Sequence, residues 1–277
     1  YYIPKLISGE YSFALGFTEP HAGADLASLQ CRAAREGDDY VINGQKMYTS
    51  SAHMSTHIYL MARTNPNQPK HRGISIFLFP MDTPGITRHK IRKIGLMASD
   101  TAQIFFDDVR VPQRNRIGEE GQGFIYQMQQ FQEERLFIAA RGPAMMEDVI
   151  NQTIDYTRER KAFGKSILDN QVVHFRLAEL QTEVEALKAL TWAAIEKYMA
   201  GEDVTMLASM AKLKTGRLQR EVADSCLQYW GGHGYVWEAS VSRRFRDFRI
   251  TSIGGGADEI MLQVIAKLMN ISPSTRK

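Results

Sequence analysis

Four short segments of this 277-residue sequence carry residue types that can contact a ligand or move a proton. Phe17-Thr18-Glu19-Pro20-His21-Ala22-Gly23-Ala24-Asp25 is a loop by composition; its proline, glycine and small residues can bring backbone amides close to a ligand, or simply turn the chain. Asn43-Gly44-Gln45-Lys46-Met47-Tyr48-Thr49-Ser50 ends on an aromatic and two hydroxyls, which can stack on a planar ring and hydrogen-bond its edge, or finish a strand. Arg160-Lys161-Ala162-Phe163-Gly164-Lys165, with Gln171 beyond it, sets cations beside a glycine turn, a combination suited to phosphates. Gln228-Tyr229-Trp230-Gly231-Gly232-His233-Gly234-Tyr235 holds a glycine pair where the backbone can approach a ligand closely. For the last two segments the structural alternative is a helix terminus with a solvated charge.

Two kinds of element must position these segments. From about Phe13 to Gly118, short runs rich in β-branched and aromatic residues predict strands at Tyr40 to Ile42, His57 to Ala62, Ile74 to Phe79 and Gln103 to Phe106. Turn signals separate them at Asn43-Gly44, Pro66-Asn67, Lys70-His71-Arg72-Gly73 and Thr83-Pro84-Gly85. After Gly118-Glu119-Glu120-Gly121-Gln122-Gly123 the spacing turns helical. Phe124, Met128, Phe131, Arg135 and Ile138 share one stripe, Phe175, Ala178, Leu187 and Leu190 a second, and Met206, Met210, Leu213, Leu218 and Val222 a looser third. Pro143 falls inside the first helix and predicts a kink near Gly142. The expected organisation is an α+β chain: a β-barrel or sandwich over 1–118, followed by an antiparallel helical bundle over 119–277.

Composition excludes other classes. The chain is 44% hydrophobic and 23% charged, enough to bury a sizeable core, and no apolar run approaches the roughly 20 residues that span a bilayer. Cys31 and Cys226 are far apart and lack metal-like spacing, which predicts no disulfide framework, no zinc site and a reducing, intracellular setting. The net charge of +3, from 34 basic and 31 acidic residues mixed along the chain, argues against nucleic acid. The opening Tyr1-Tyr2-Ile3-Pro4-Lys5 has no initiator methionine and reads as the interior of a longer chain.

In order and spacing together, the four segments resemble the acyl-CoA dehydrogenase family. Its patterns T-E-P-x-A-G-S-D, Q-K-x-W-I-T, R-x-x-F-G with a later Gln, and Q-x-x-G-G-x-G are met in register, and the match continues from Arg246-Asp247 to Ile260. The resemblance implies a middle β-domain and a C-terminal four-helix bundle, without the N-terminal helical domain, in a homotetrameric or homodimeric flavoprotein. It implies FAD held by Leu15, Phe17, Thr18, Gly23, Ala24, Tyr48, Thr49 and Ser50. Arg160, Phe163, Gln171, Gln228, Gly231 and Gly232 would grip the adenine and pyrophosphate of a neighbouring subunit's FAD, with Ala257 and Glu259 also at the cofactor. It further implies an acyl-CoA substrate touched by Ala24, Gln132, Arg135 and Gly254, electron-transfer flavoprotein as acceptor, a role in fatty acid β-oxidation or branched-chain catabolism, and a bacterial cytoplasm or mitochondrial matrix.

Three departures from the family pattern stand out. Tyr48 replaces the usual Trp and Ala24 the usual Ser. The loop that often carries the catalytic glutamate reads Gly254-Gly255-Gly256-Ala257-Asp258-Glu259-Ile260, with Gly255 at the base position. Removal of a thioester α-proton needs a base. In the long-chain and isovaleryl branches the base is a glutamate on the first bundle helix, and Glu134 in Phe131-Gln132-Glu133-Glu134-Arg135-Leu136 falls on that position. On a helix Glu134 is flanked by Phe131, Phe137 and Ile138, an apolar setting that predicts a raised carboxyl pKa, whereas Glu133 faces solvent.

By this resemblance Glu134 removes the α-proton, hydride leaves for flavin N5, and the Gly255 amide helps polarise the thioester oxygen. The paired glycines at 254 and 255 predict extra space near the α-carbon, for long or branched chains. Arg135 touches CoA or makes a bundle ion pair. Competing readings are a flavin-dependent monooxygenase or acyl-CoA oxidase of the same fold, and a nucleic-acid-associated flavoprotein.

Overall fold

Alternation with a period of two builds the first half of the chain. In the computed structural model, which describes residues 1–273, the chain divides into two compact units that meet in sequence between Gln129 and Gln130. The first holds a short helix α1 (Tyr2–Ile7) and strands β1 (Phe13–Gly16), β2 (Arg32–Glu36), β3 (Asp39–Ser50), β4 (His57–Arg63), β5 (Ile74–Pro80), β6 (Ile86–Lys90), β7 (Thr101–Pro112) and β8 (Arg116–Ile117). They form one sheet in the order β6-β7-β3-β2-β4-β5-β8, with β1 added to β4. Pairing is antiparallel except for β1 and β2 against β4.

Strand β5 is buried on both faces and feeds two cores. Phe77 and Phe79 join Ile58, Leu60, Ile42 and Ile104 in one cluster, while Ile74 and Ile76 join Met61, Leu29 and Ala22 in another. Strand parity decides which core each residue enters, so a one-residue slip would exchange the two sets.

Asn43-Gly44, a turn by composition, lies inside β3. It marks an irregularity in the β3–β7 ladder between Ile42 and Gly44, and the β2–β3 hairpin turns instead at Gly37-Asp38. A dipeptide with turn chemistry has here made a bulge, because long neighbouring strands continue on both sides.

The second unit is helical: α2 (Gly123–Glu159, its residues from Gln130 onward), the small hairpin β9 (Lys161–Ala162) and β10 (Lys165–Ser166), α3 (Gln171–Met199), α4 (Thr205–Trp230), α5 (Ser240–Phe248) and α6 (Asp258–Leu268). Pro143 lies within α2 and does not end it. The buried face of α3 is Val173, Leu177, Leu180, Val184, Leu187, Thr191 and Ala194, alternating steps of four and three. Leu136 of α2 shares a cluster with Ala194, and Val149 and Ile150 share one with Leu177 and Leu180, so α2 and α3 run antiparallel. Arg176 pairs with Glu221 at 2.5 Å and Glu183 with Lys214, which sets α4 antiparallel to α3.

The helical period is as the sequence implies, but the phase of two helices differs. Phe175 and Ala178 are exposed, and Met206, Met210 and Leu213 are only half-buried. The packed face of α4 is Ala208, Ala211, Lys212, Thr215, Leu218, Gln219, Val222, Ala223 and Cys226. Small and polar side chains let neighbouring helices approach closely, whereas the larger Met210 lines a groove with Leu190 and Leu213. Among the described residues no helix is long and apolar enough to cross a membrane, and no cluster of His, Cys, Asp and Glu could hold a metal.

Candidate functional site

In the first unit, a buried ion pair ties two of the predicted segments together. Lys46 and Glu19 are almost wholly buried, with Lys46 Nζ 2.8 Å from Glu19 Oε1 and 3.0 Å from the Phe17 carbonyl. Glu19 also accepts from the Gln30 amide at 2.6 Å and the Cys31 amide at 2.9 Å. The Glu19 and Ala22 backbones exchange hydrogen bonds of 3.1 Å, and the Met47 amide donates to Thr18 O at 2.8 Å. The loop from Phe17 to Ala24 is thus fixed against the end of β3, and Gly23 and Ala24 stand exposed on it.

At that end of β3 the ladder shifts between Lys46 and Thr49, and Tyr48 takes φ 59. A non-glycine residue in this region is strained, and here it leaves the Tyr48 ring exposed. Thr49 is buried, and its Oγ1 has no hydrogen-bond partner among the described residues. An orphaned buried hydroxyl costs stability, and a ligand atom accepting or donating there would remove that cost. Ser50 is exposed beside it, Leu15 is exposed on β1, and Phe17 packs edge-on to Tyr59 with ring centres 5.7 Å apart.

In the second unit, three helix termini meet. Tyr156 near the end of α2 donates from its Oη to Trp230 O at 3.2 Å, and Tyr229 Oη donates to Val172 O at 3.1 Å. These bonds gather Arg160, Gln171, Gln228, Gly231 and Gly232 at one end of the bundle, all of them exposed. Phe163, at φ 53 on the β9–β10 hairpin, is fully exposed. Rings of Tyr156, Trp230 and His233 stack within 13° of parallel beneath this end.

Elsewhere in the bundle, α2 faces the three-glycine loop that precedes α6. Glu133 is exposed and accepts from Tyr198 Oη, whereas Glu134 is half-buried and Arg135 buried. Burial pushes the Arg135 guanidinium below its usual pKa, and the Glu134 charge opposes that shift. Arg135 Nη1 lies 3.4 Å from Ser209 Oγ. Gln132 Oε1 accepts from the Val204 amide at 3.2 Å, so this predicted substrate contact caps the turn before α4.

Gly255 has φ 64, and a β-carbon there would lie 2.6 Å from Ile138 Cδ1. Ile138 is one helical turn beyond Glu134, on the same face. The space expected from the glycine pair is therefore not open at Gly255, because the facing helix fills it with Ile138. Gly254 bonds back to Ile250 O at 2.8 Å, Ala257 caps α6, and Glu259 is exposed in its first turn.

A family model for the C-terminal domain of acyl-CoA dehydrogenases matches residues 121–269, and one for the middle domain matches 14–109. The chain belongs to the acyl-CoA dehydrogenase family. It is 38% identical over 270 residues to the long-chain specific mitochondrial acyl-CoA dehydrogenase of Sus scrofa, covering 96% of this chain and 63% of that protein. An acyl-CoA dehydrogenase of Bacillus subtilis is 35% identical, covering 97% and 71%. The crystal structure of the acyl-CoA dehydrogenase from Geobacillus kaustophilus superimposes with a TM-score of 0.95 at 40% identity, over 97% of this chain and 71% of that one. The chain spans less than two thirds of the length of the long-chain relatives.

Within this acyl-CoA dehydrogenase fold, motif reading misses four residues that shape the site. Glu19 and Lys46 stand inside the quoted motifs, and a lone lysine in a strand-like run is their signal. Lys212 lies on the buried stripe Ala208, Ala211, Lys212, Thr215, a helical spacing visible in the sequence. Ile138 stands on the stripe read from the sequence, but its contact with Gly255 has no sequence signal, since it depends on a loop more than a hundred residues away.

Proposed function

We propose that this chain forms the flavin-binding and catalytic part of an FAD enzyme that dehydrogenates an acyl-CoA thioester to the trans-2-enoyl-CoA, with Glu134 as the base. The observation that carries the reading is the closed position at Gly255. Gly255 carries no side chain, and one placed there would need a strained backbone and a shift of the Ile138 side chain, so the loop offers no base at this position. Glu134 is the half-buried carboxylate one turn away on the facing helix. Asp258 is held by Arg220 at 3.3 Å and Arg217 at 3.7 Å, and Glu133 by Tyr198, so neither competes for the role.

The residues present fit FAD. In the first unit Thr49 Oγ1 offers a buried hydroxyl without a partner among the described residues, and Tyr48 an exposed aromatic face; the second unit, by itself, offers open backbone at Gly231 and Gly232 and exposed side chains at Gln228 and Arg160. Bound there, FAD supplies the two-electron acceptor for the hydride that leaves the substrate β-carbon. The chain's own contribution is to take the α-proton onto the Glu134 carboxylate and to polarise the thioester oxygen with the Gly255 amide.

Long or branched acyl chains, a tetramer or dimer that completes the cofactor site, and electron-transfer flavoprotein as acceptor complete the reading. It is supported by the likeness to long-chain enzymes and by the exposed cofactor residues at the bundle end. Anaerobic titration of the FAD-loaded protein with short, long and branched acyl-CoAs tests it. At least one acyl-CoA should bleach the flavin, and Glu134→Gln should slow bleaching by about 100-fold or more. Equal bleaching in the variant would remove Glu134 from the mechanism.

A further inference from the structure

Lys212 lies in the middle of α4 with its side chain wholly buried, and its Nζ donates to the carbonyl of Gly256. Its Cε is 4.0 Å from the place a Gly255 β-carbon would occupy. The charged groups that face it are Asp258 on α6 and Arg135 on α2, and Arg135 in turn faces Glu134. Asp258 is already engaged by two exposed arginines, Arg217 and Arg220. Burying an ammonium costs several kcal/mol unless it is well paired, so this side chain gives up stability at this point of the bundle.

What it holds is a loop that would otherwise be loose. Gly254, Gly255 and Gly256 are consecutive, the last two at positive φ, and glycine loses more conformational freedom on ordering than any other residue. The loop's internal support is the Gly254 amide bond to Ile250 O. A charge-assisted donor from the packed face of α4 fixes its other side.

We propose that Lys212 is a positioning residue: by clamping the Gly256 carbonyl it holds the Gly255 amide against the face of α2 that carries Glu134. The inference rests on the acyl-CoA reading of the site, because the Gly255 amide matters there as a donor to the thioester oxygen. A displacement of about 1 Å in such a donor can cost on the order of 100-fold in rate.

The test uses FAD-loaded wild type, Lys212→Met and Glu134→Gln. In Lys212→Met the buried charge is gone, so the protein should unfold at the same or a higher temperature than wild type. Hydrogen exchange at the amides of residues 254–257 should nevertheless speed up by about 10-fold or more, with core amides of α4 unchanged. Flavin bleaching by acyl-CoA should slow about 10- to 100-fold at saturation, with the KM for acyl-CoA within about 2-fold of wild type.

Wild-type loop exchange and wild-type bleaching in Lys212→Met would overturn the clamp. If Lys212→Met does not fold, the wild type decides the matter. Its loop exchange, corrected for intrinsic rates, should rise relative to the α4 core as the pH passes about 8, where burial has moved the ammonium pKa, and a flat ratio would overturn the proposal. Absence of bleaching in wild type, or normal bleaching in Glu134→Gln, would instead remove the acyl-CoA reading, while loop exchange still reports on the clamp.

Discussion

Lys46 Nζ lies 2.8 Å from Glu19 Oε1, with both side chains buried, and the pair fastens the loop from Phe17 to Ala24 onto the end of β3. The Glu19 carboxylate meets the ammonium, two backbone amides and, at 3.2 Å, His21 Nε2, and the ammonium meets the carboxylate and the Phe17 carbonyl. Such a network is stable as a whole and costly in part.

Removing one partner should therefore be severe. Lys46→Met leaves a buried carboxylate without its cation and is expected to lose about 3–5 kcal/mol in urea unfolding. It should also lower FAD retention, since the Thr18 segment loses its anchor. Adding Glu19→Gln removes the uncompensated charge, so the double variant should lose less than the two single losses added, by more than about 1 kcal/mol. Strict additivity would show that the two side chains act independently.

Much of the fold is legible in the sequence because it rests on local period. The β5 run Ile74–Pro80 and the existence of α3 are plain in the sequence, although the buried face of α3 falls on Val173 and Leu177 and not on Phe175 and Ala178. Phase is harder to read. In α4 the eye follows Met206, Met210 and Leu213, yet packing selects Ala208, Ala211 and Thr215, because close helix approach rewards small side chains over large ones. The Glu134 position is readable from the Glu-Glu-Arg-Leu run, whereas the closure of Gly255 by Ile138 depends on a tertiary contact that no spacing encodes.

The buried Lys212 should leave a signature in stability against pH. Burial lowers its folded-state pKa from 10.5 to about 8, with Arg135 adding to the shift and Asp258 opposing it. Between those two values the unfolded chain binds more protons than the folded one, so stability rises with pH across that window. The full effect is on the order of 3 kcal/mol at about 1.4 kcal/mol per pH unit. Urea unfolding of wild type and Lys212→Met at pH 7 and pH 10 isolates it from other titrating groups. Wild type should gain on the variant as pH rises, and a constant difference would mean the ammonium is not shielded from water as its burial implies.

At Gly142, α2 packs tightly against Thr215 of α4. A β-carbon there would lie 2.4 Å from Thr215 Cγ2, with the other Thr215 atoms at 3.6 Å. Alanine normally favours a helix over glycine by about 1 kcal/mol, so Gly142→Ala would stabilise an isolated helix. Here it meets two obstacles: the Thr215 methyl, and the ring of Pro143, which crowds any β-carbon on the residue before it. We expect Gly142→Ala to destabilise the protein by about 1–3 kcal/mol in thermal or urea unfolding. Thr215→Ser removes the methyl and keeps the hydroxyl that donates to Ala211 O at 2.7 Å. In that background the cost of Gly142→Ala should fall by about 1 kcal/mol or more, because the helices need no longer part. An identical cost in both backgrounds would place the whole penalty at the Pro143 junction and refute the interhelical contact as its cause.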